Sequence, residues 1–140
     1  MKTKPFMPAA GLAFIGLAFF AAPAGAEPGS DAVAPQFTHV IPNIPGKSVT
    51  TVEVSYAPGG KSRPHHHASS AFIYGYVLSG AIRTQVEGGP VQTVKAGESF
   101  FELPGAHHIL GENASKTEPA KFLVVFVVDT NDKTLTTYDK

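Results

Sequence analysis

The chain has 140 residues, no cysteine, and equal numbers of basic and acidic residues, so its formal net charge is zero with histidine neutral. The absence of cysteine excludes disulfides and thiolate metal ligands. The balanced charge excludes the electrostatic footprint of a nucleic-acid-binding or anionic-membrane-binding protein, and the length suits one hydrophobic core rather than two domains.

The first 26 residues have the pattern of a secretory signal peptide. A basic head at residues 1–4 precedes an apolar run from Gly11 to Ala22, and Ala24-Gly25-Ala26 is a small-x-small cleavage signal. The apolar run is shorter than the roughly 20 residues that a membrane-spanning helix needs. We therefore predict a periplasmic or secreted protein with no membrane contact after cleavage of residues 1–26.

The remaining sequence predicts one β domain. Residues 27–36 are rich in Pro, Gly, Ala and Ser, which indicates a flexible lead-in to a single domain over residues 37–140. Alternating or continuous apolar runs then follow, separated by turn residues, and no window has a helical period with caps. This pattern predicts an all-β sandwich or barrel. The runs are Val52–Tyr56, Phe72–Leu78, Ile82–Val86, Val91–Val94, Phe100–Phe101 and Phe122–Val128.

Five of the six histidines lie in two separated segments. In an extended strand His65 and His67 project to one side while His66 points away. One residue of the later pair, His107 or His108, would complete a three-nitrogen face that leaves coordination positions open. The alternative is a surface tract with adventitious metal affinity, which does not explain the second segment.

These segments resemble the two motifs of the cupin superfamily. Gly60–Gly80 is similar to a first motif in which a Gly, five residues and His-x-His precede a Glu and a closing Gly, and Gly97–His108 is similar to a second motif that ends in Pro, Gly, two residues and a His. The resemblance implies a conical double-sheet β-barrel of the jelly-roll type, with a metal site in its mouth and frequent pairing into homodimers. It implies His65, His67 and His108 as metal ligands, with His107 as the competing choice.

One departure from the motif concerns the fourth ligand. The first-motif carboxylate should lie near residues 71–73, yet Ala68–Ser79 contains no Asp or Glu. Either the site has three histidines alone or a carboxylate comes from elsewhere, and Glu102 is the candidate because it precedes His108 by an even number of residues. Glu102 could bind the ion, orient an imidazole or act as a general base. A surface Glu at a strand end is the alternative.

The residues predict a site for one divalent metal ion and a small organic substrate. Three imidazoles with open positions suit Fe(II), Mn(II) or Ni(II), with Zn(II) or Cu(II) as alternatives. Tyr74, together with Phe72, Phe100 and Phe101, is large enough to wall a small cavity and is the second catalytic candidate after Glu102. We expect a metal-dependent, dioxygenase-like enzyme. The alternative is a non-catalytic periplasmic module that binds a metal or small ligand.

Overall fold

The computed structural model describes residues 31–140. The predicted signal peptide and the first four residues of the predicted lead-in lie outside this range. Within it the chain is all β, with ten strands and no helix, and so no helix there could span a membrane. This confirms the predicted all-β fold.

The ten strands form two antiparallel sheets of five strands each. They are β1 (Asp31–Val40), β2 (Lys47–Tyr56), β3 (His65–His67), β4 (Phe72–Ser79), β5 (Ala81–Val86), β6 (Gln92–Lys95), β7 (Ser99–Glu102), β8 (His107–Asn113), β9 (Ala120–Asp129) and β10 (Thr136–Tyr138). The first sheet has the order β1-β2-β9-β4-β7, and the second has the order β10-β3-β8-β5-β6. The sheets are separate and enclose one core, as in a jelly roll.

The core forms because apolar side chains alternate along the strands. In β4 the side chains of Ile73 and Val77 are fully buried while their neighbours in sequence are exposed, and β9 shows the same alternation. Ile82 of the second sheet is also fully buried. Burying a side chain of this size contributes about 1.5–3 kcal/mol. The two inner faces together therefore supply the stability of a domain without disulfides.

A glycine shapes the interior near one end of the core. Gly75 of β4 lies directly opposite Phe100 of β7, and a Cβ at Gly75 would overlap the Phe100 ring. The missing side chain lets the ring lie across the β4 backbone and turn into the space between the sheets. Phe100 thereby becomes one wall of the interior cavity described below.

Part of the predicted flexible lead-in is a strand in the structure. Residues 31–36 of the predicted flexible lead-in belong to β1, an edge strand that pairs with β2 over its whole length with one bulge near Pro35. Its side chains are mostly exposed, so backbone hydrogen bonds to β2 hold the strand in place. The amino-acid composition of the segment therefore does not indicate a strand. Asn113 at the end of β8 is buried, and its side-chain amide donates hydrogen bonds to the carbonyls of Ala57 and Glu118.

Candidate metal centre

Three histidines converge on the inner face of the second sheet. Strands β3 and β8 are neighbours, and His65 lies directly opposite His108 while His66 lies opposite His107. Strand alternation therefore sends one cross-strand pair inward and the other outward. One ligand atom from each of His65, His67 and His108 lies within 4.8 Å of the other two, so the group can hold a metal ion. The inward residue of the later pair is His108, and His107 faces out.

Backbone carbonyls orient two of the imidazoles. Nδ1 of His65 lies 2.7 Å from the carbonyl oxygen of Arg63, and Nδ1 of His67 lies 3.4 Å from that of Leu135. A carbonyl accepts a hydrogen bond, so Nδ1 of His65 carries the proton and Nε2 is left as the free lone pair. The weaker contact of His67 favours the same tautomer. Metal-binding histidines are held in this way in many proteins.

The third imidazole is held from the neighbouring strand. Nε2 of His108 lies 2.9 Å from the hydroxyl oxygen of Thr84, which is buried on β5. Its other nitrogen, Nδ1, lies 3.7 Å from Oε1 of Glu102. The hydroxyl can rotate to donate or accept, so Thr84 fixes the ring position in either tautomer.

Glu102 is a buried member of this site rather than a surface residue. Its side chain is 4% exposed, and Oε2 lies 3.3 Å from Nε2 of His67. The carboxylate thus lies beside the same nitrogen that the carbonyl of Leu135 leaves free. Glu102 also lies directly opposite Ile73 in the β4–β7 ladder, within the region where the family motif would place its carboxylate. Glu102 and His108 therefore approach each other from the facing inner surfaces of the two sheets, and the turn between β7 and β8, rather than even spacing along one strand, brings them together.

Burial sets the protonation of the site. Burial lowers the pKa of His65 and of His108, which favours the neutral imidazole that binds metals. Burial alone raises the pKa of Glu102, but the adjacent His67 imidazole and the other two histidines outweigh it and hold that pKa below its ordinary value. At neutral pH these shifts favour an ionised Glu102 carboxylate and neutral imidazoles at His65 and His108.

One oxygen of the Glu102 carboxylate indicates that a cation fits between the histidines. Oε2 of Glu102 is buried and has no hydrogen-bond partner among the described residues, since the His67 contact lacks hydrogen-bond geometry. An unpaired buried charge is costly, whereas a bound divalent cation would satisfy it. Neighbouring ligands on a metal with bonds of about 2.1 Å are roughly 3 Å apart. The 3.3 Å and 3.7 Å separations of Glu102 from two histidine nitrogens are close to that value.

The three histidines and Glu102 line an interior cavity. Its volume is about 80 Å³, which is enough for several waters or one small molecule. Apolar side chains from β2 and β9, with Phe100, form most of the wall. The lining also includes Asp31, Tyr56, Ser62, Thr136 and Tyr138.

Sequence reasoning missed a chain of hydrogen bonds in this wall. The Ser62 hydroxyl donates to Asp31 at 2.6 Å, so the Tyr56 hydroxyl, 2.8 Å from Ser62, acts as the donor to it. Tyr56 is 1% exposed. The alternating pattern of β2 indicated that the Tyr56 side chain points inward, and this was the one feature of the sequence that could have identified it. Ser62 and Asp31 lie in segments without a regular pattern, so their approach depends on tertiary packing.

The prediction that Tyr74 walls the cavity is wrong. Its side chain is 41% exposed on the outer face of the first sheet, as are those of Phe72 and Phe101. All three alternate with inward residues, and the sequence did not indicate which face was inside. Phe100 is the one predicted aromatic that lines the cavity. His66 points away from His65 and His67, as predicted, and is exposed, and His39 is exposed on β1.

A family model and several solved structures match the chain. The model described as "Cupin domain" matches residues 52–126, which is more than half of the chain and contains all four site residues. The chain belongs to the cupin family. No curated protein matches it.

Solved structures with the same fold include an enzyme. An oxalate oxidase in complex with the substrate analogue glycolate is 26% identical with a TM-score of 0.62, and the alignment covers 81% of this cupin and 57% of that chain. A conserved protein with a double-stranded β-helix domain from Klebsiella pneumoniae has a TM-score of 0.63 at 18% identity, with 83% and 90% coverage. A DMSP lyase from Ruegeria pomeroyi has a TM-score of 0.52 at 20% identity, with 64% and 42% coverage. The last two show the fold alone.

Gly111 allows Tyr56 and His108 to lie close together at the site. A Cβ at this position would lie 2.9 Å from the Tyr56 hydroxyl oxygen and 3.1 Å from Cε1 of His108. Both distances are shorter than normal contacts to Cβ atoms, and both neighbours are buried. The absence of a side chain is therefore required for Tyr56 and His108 to approach from the two sheets.

We predict that Gly111→Ala weakens the site. The methyl group must displace the His108 ring or Tyr56, so metal affinity should fall roughly 10- to 100-fold. The free energy of unfolding should fall by about 1–3 kcal/mol. Metal titration and denaturant unfolding measure the two effects. Gly89→Ala is the control because its Cβ would meet only Val86, at 3.4 Å. Equal behaviour of the two variants would contradict the assignment.

Proposed function

We propose that this cupin is a metal-dependent enzyme of the dioxygenase-like type that acts on a small carboxylate. The observation that carries the proposal is the convergence of His65, His67 and His108 with an ionised, unpartnered carboxylate inside a cavity of small-molecule size. The four side chains line the cavity, so a small molecule there would meet an ion that they hold. A bound divalent ion would supply Lewis-acid or redox chemistry to that molecule.

Charge indicates the ligand class. Three neutral imidazoles and one carboxylate leave a divalent ion with one positive charge, which favours a small anion. None of the described residues that line the cavity is Lys or Arg. The ion would therefore be the positive group that an anionic substrate meets. The structural likeness to an oxalate oxidase that binds glycolate supports a carboxylate of that size.

The chain's own residues would then have three tasks. The apolar wall that Phe100, Phe122 and Phe126 provide excludes bulk water and strengthens electrostatic interactions inside. Tyr56 and Ser62 place hydroxyl groups in the same cavity, with Asp31 fixing their orientation. Glu102 lies close enough to a bound ligand to accept a proton if the ion leaves one of its oxygens free.

A binding module is the second candidate, and the replacement of the usual motif carboxylate favours it. Four protein ligands complete a tetrahedral zinc site and leave no open position, whereas they leave two open on an octahedral Fe(II), Mn(II) or Ni(II) ion. The same residues can thus serve either function. The metal that the protein acquires decides between them, and Zn(II) or Cu(II) would be met first if the protein is exported as its leader predicts.

We predict that reloaded protein consumes dioxygen with a small carboxylate. Protein stripped of metal and reloaded anaerobically with Fe(II) or Mn(II) should take up oxygen on addition of glycolate or oxalate. The His65→Ala variant should be inactive, and His39→Ala should match the wild type because His39 is exposed on β1. Oxygen electrode traces provide the measurement. A wild type that is inert with both metals, and that holds zinc with four protein ligands, would favour the binding module.

We predict that Glu102→Gln separates metal binding from folding. The amide lacks the charge that would neutralise the ion, so metal affinity should fall roughly 10- to 100-fold. The melting temperature of the metal-free protein should change much less, because the amide has the same shape and Oε2 makes no hydrogen bond that the change would remove. Glu118→Gln, at an exposed loop position, is the control. Unchanged affinity together with a less stable apoprotein would assign Glu102 a structural role.

We also propose that two copies pair through the outer face of the first sheet. Phe72 and Tyr74 of β4 and Phe101 of β7 form an exposed apolar face, and Leu103 extends it. Strand β7 is the edge of this sheet, so the apolar face at this edge can pack against the same face of a second copy about a two-fold axis. Phe101 and Leu103, 62% and 63% exposed, lie at this edge and would be buried first.

We predict that Phe101→Asp converts a dimer to a monomer. A charge at the centre of the pairing face would have to be desolvated, which disfavours association. Light scattering after size exclusion gives the mass of each species. Val91→Asp is the control, because it is an exposed apolar residue of the second sheet's edge region. A wild type of monomer mass, or a Phe101→Asp variant of dimer mass, would refute this interface.

A further inference from the structure

A second group of metal-ligating side chains lies on the outer face of the second sheet. His66 of β3 lies directly opposite His107 of β8, and both side chains point outward. Asp139 follows β10, which pairs with β3 on the side away from β8. Asp139 has the same parity as Thr137, which lies directly opposite His66, so its side chain faces the same way. One ligand atom from each of the three residues lies within 4.8 Å of the other two.

The two imidazoles are held side by side. Their ring centroids are 3.9 Å apart and their planes differ by 12°. Nε2 of His107 lies 2.9 Å and Nε2 of His66 lies 3.9 Å from the Asp139 carboxylate. The corresponding nitrogens of both rings therefore face one carboxylate. A tilt of the two rings toward each other would bring both nitrogens and the carboxylate to one ion.

A further carboxylate fixes one ring. Oε2 of Glu87 lies 3.5 Å from Nδ1 of His107, on the side of the ring opposite Asp139. A carboxylate on the distal nitrogen orients an imidazole and makes it more basic toward a metal. His107 is 20% exposed, so the packing around it limits its rotation. The group thus has the donor set of a zinc or copper site together with the contact that orients such a ligand.

We propose that His66, His107 and Asp139 bind a second divalent ion of the Zn(II) or Cu(II) type on the surface of the barrel. Two imidazoles and one carboxylate suit these borderline ions, and solvent can fill the remaining positions. The ion takes the place of the His107–Asp139 hydrogen bond. The two metal groups lie back to back across one sheet, because alternate residues of β3 and β8 supply both.

The position of this outer site gives it a structural effect. Asp139 follows β10, which has only three residues, so few hydrogen bonds hold this segment to β3. The same short strand places Thr136 and Tyr138 in the cavity wall, where the Tyr138 ring contacts that of His65 at 5.6 Å between centroids. An ion that links Asp139 to β3 and β8 therefore holds one wall of the inner site in place.

Metal stoichiometry of the untagged protein tests the proposal. Equilibrium dialysis against Zn(II) should give two equivalents for the wild type and one each for Asp139→Asn and His66→Ala. A His65→Ala/His67→Ala double variant should retain one equivalent, which His66→Ala should then abolish. His39→Ala should keep two, because His39 lies on β1 apart from both groups.

The outcomes separate the two sites. If the inner site does not bind metal, the wild type and the double variant both bind one equivalent, and Asp139→Asn binds none. Two equivalents in Asp139→Asn and His66→Ala, or none in the double variant, would overturn the outer site. The Cu(II) electron paramagnetic resonance spectrum of the double variant provides a second reading. It should show hyperfine coupling to nitrogen that Asp139→Asn weakens and His66→Ala reduces to that of one imidazole or fewer.

Discussion

The direct pairing of His65 with His108 across strands β3 and β8 is the constraint on which the rest of the site depends. It places two imidazoles from distant sequence segments side by side on the inner face. His67 points to the same face because it is two residues from His65 in β3. The same register places His66 and His107 on the outer face. A shift of one residue would exchange the two sets, so the register decides which nitrogens enter the cavity.

Burial of Glu102 links this register to folding. The three histidines around Glu102 favour its ionised form despite burial, although Oε2 has no hydrogen-bond partner among the described residues. A divalent cation would supply that partner and would bind the folded state alone, so metal should also stabilise the fold. The carboxylate comes from β7, directly opposite Ile73 of β4. The site can therefore complete its ligand set from a neighbouring strand without the usual acidic residue of the first motif.

Sequence periodicity was sufficient for the strands and for the histidines. Alternation in Val52–Tyr56 and Phe72–Leu78 predicted β2 and β4, and the motif spacing selected His108 over His107, as the structure places them. Periodicity identifies the two faces of a strand but not which face is inside. For that reason the prediction that Tyr74 walls the cavity was wrong. Periodicity also gives no signal for β1, an edge strand held by backbone hydrogen bonds. The contacts of Ser62 and Asp31 with Tyr56 depend on long-range packing that local sequence does not encode.

Anomalous diffraction from crystals loaded with Fe(II), Mn(II) or Zn(II) tests the inner site most directly, because it locates the ion and identifies its element. The account predicts one anomalous peak in the cavity within about 2.0–2.3 Å of a nitrogen of His65, His67 and His108. A carboxylate oxygen of Glu102 should lie at a similar distance. Saturated crystals without an anomalous peak between the three imidazoles would contradict the account.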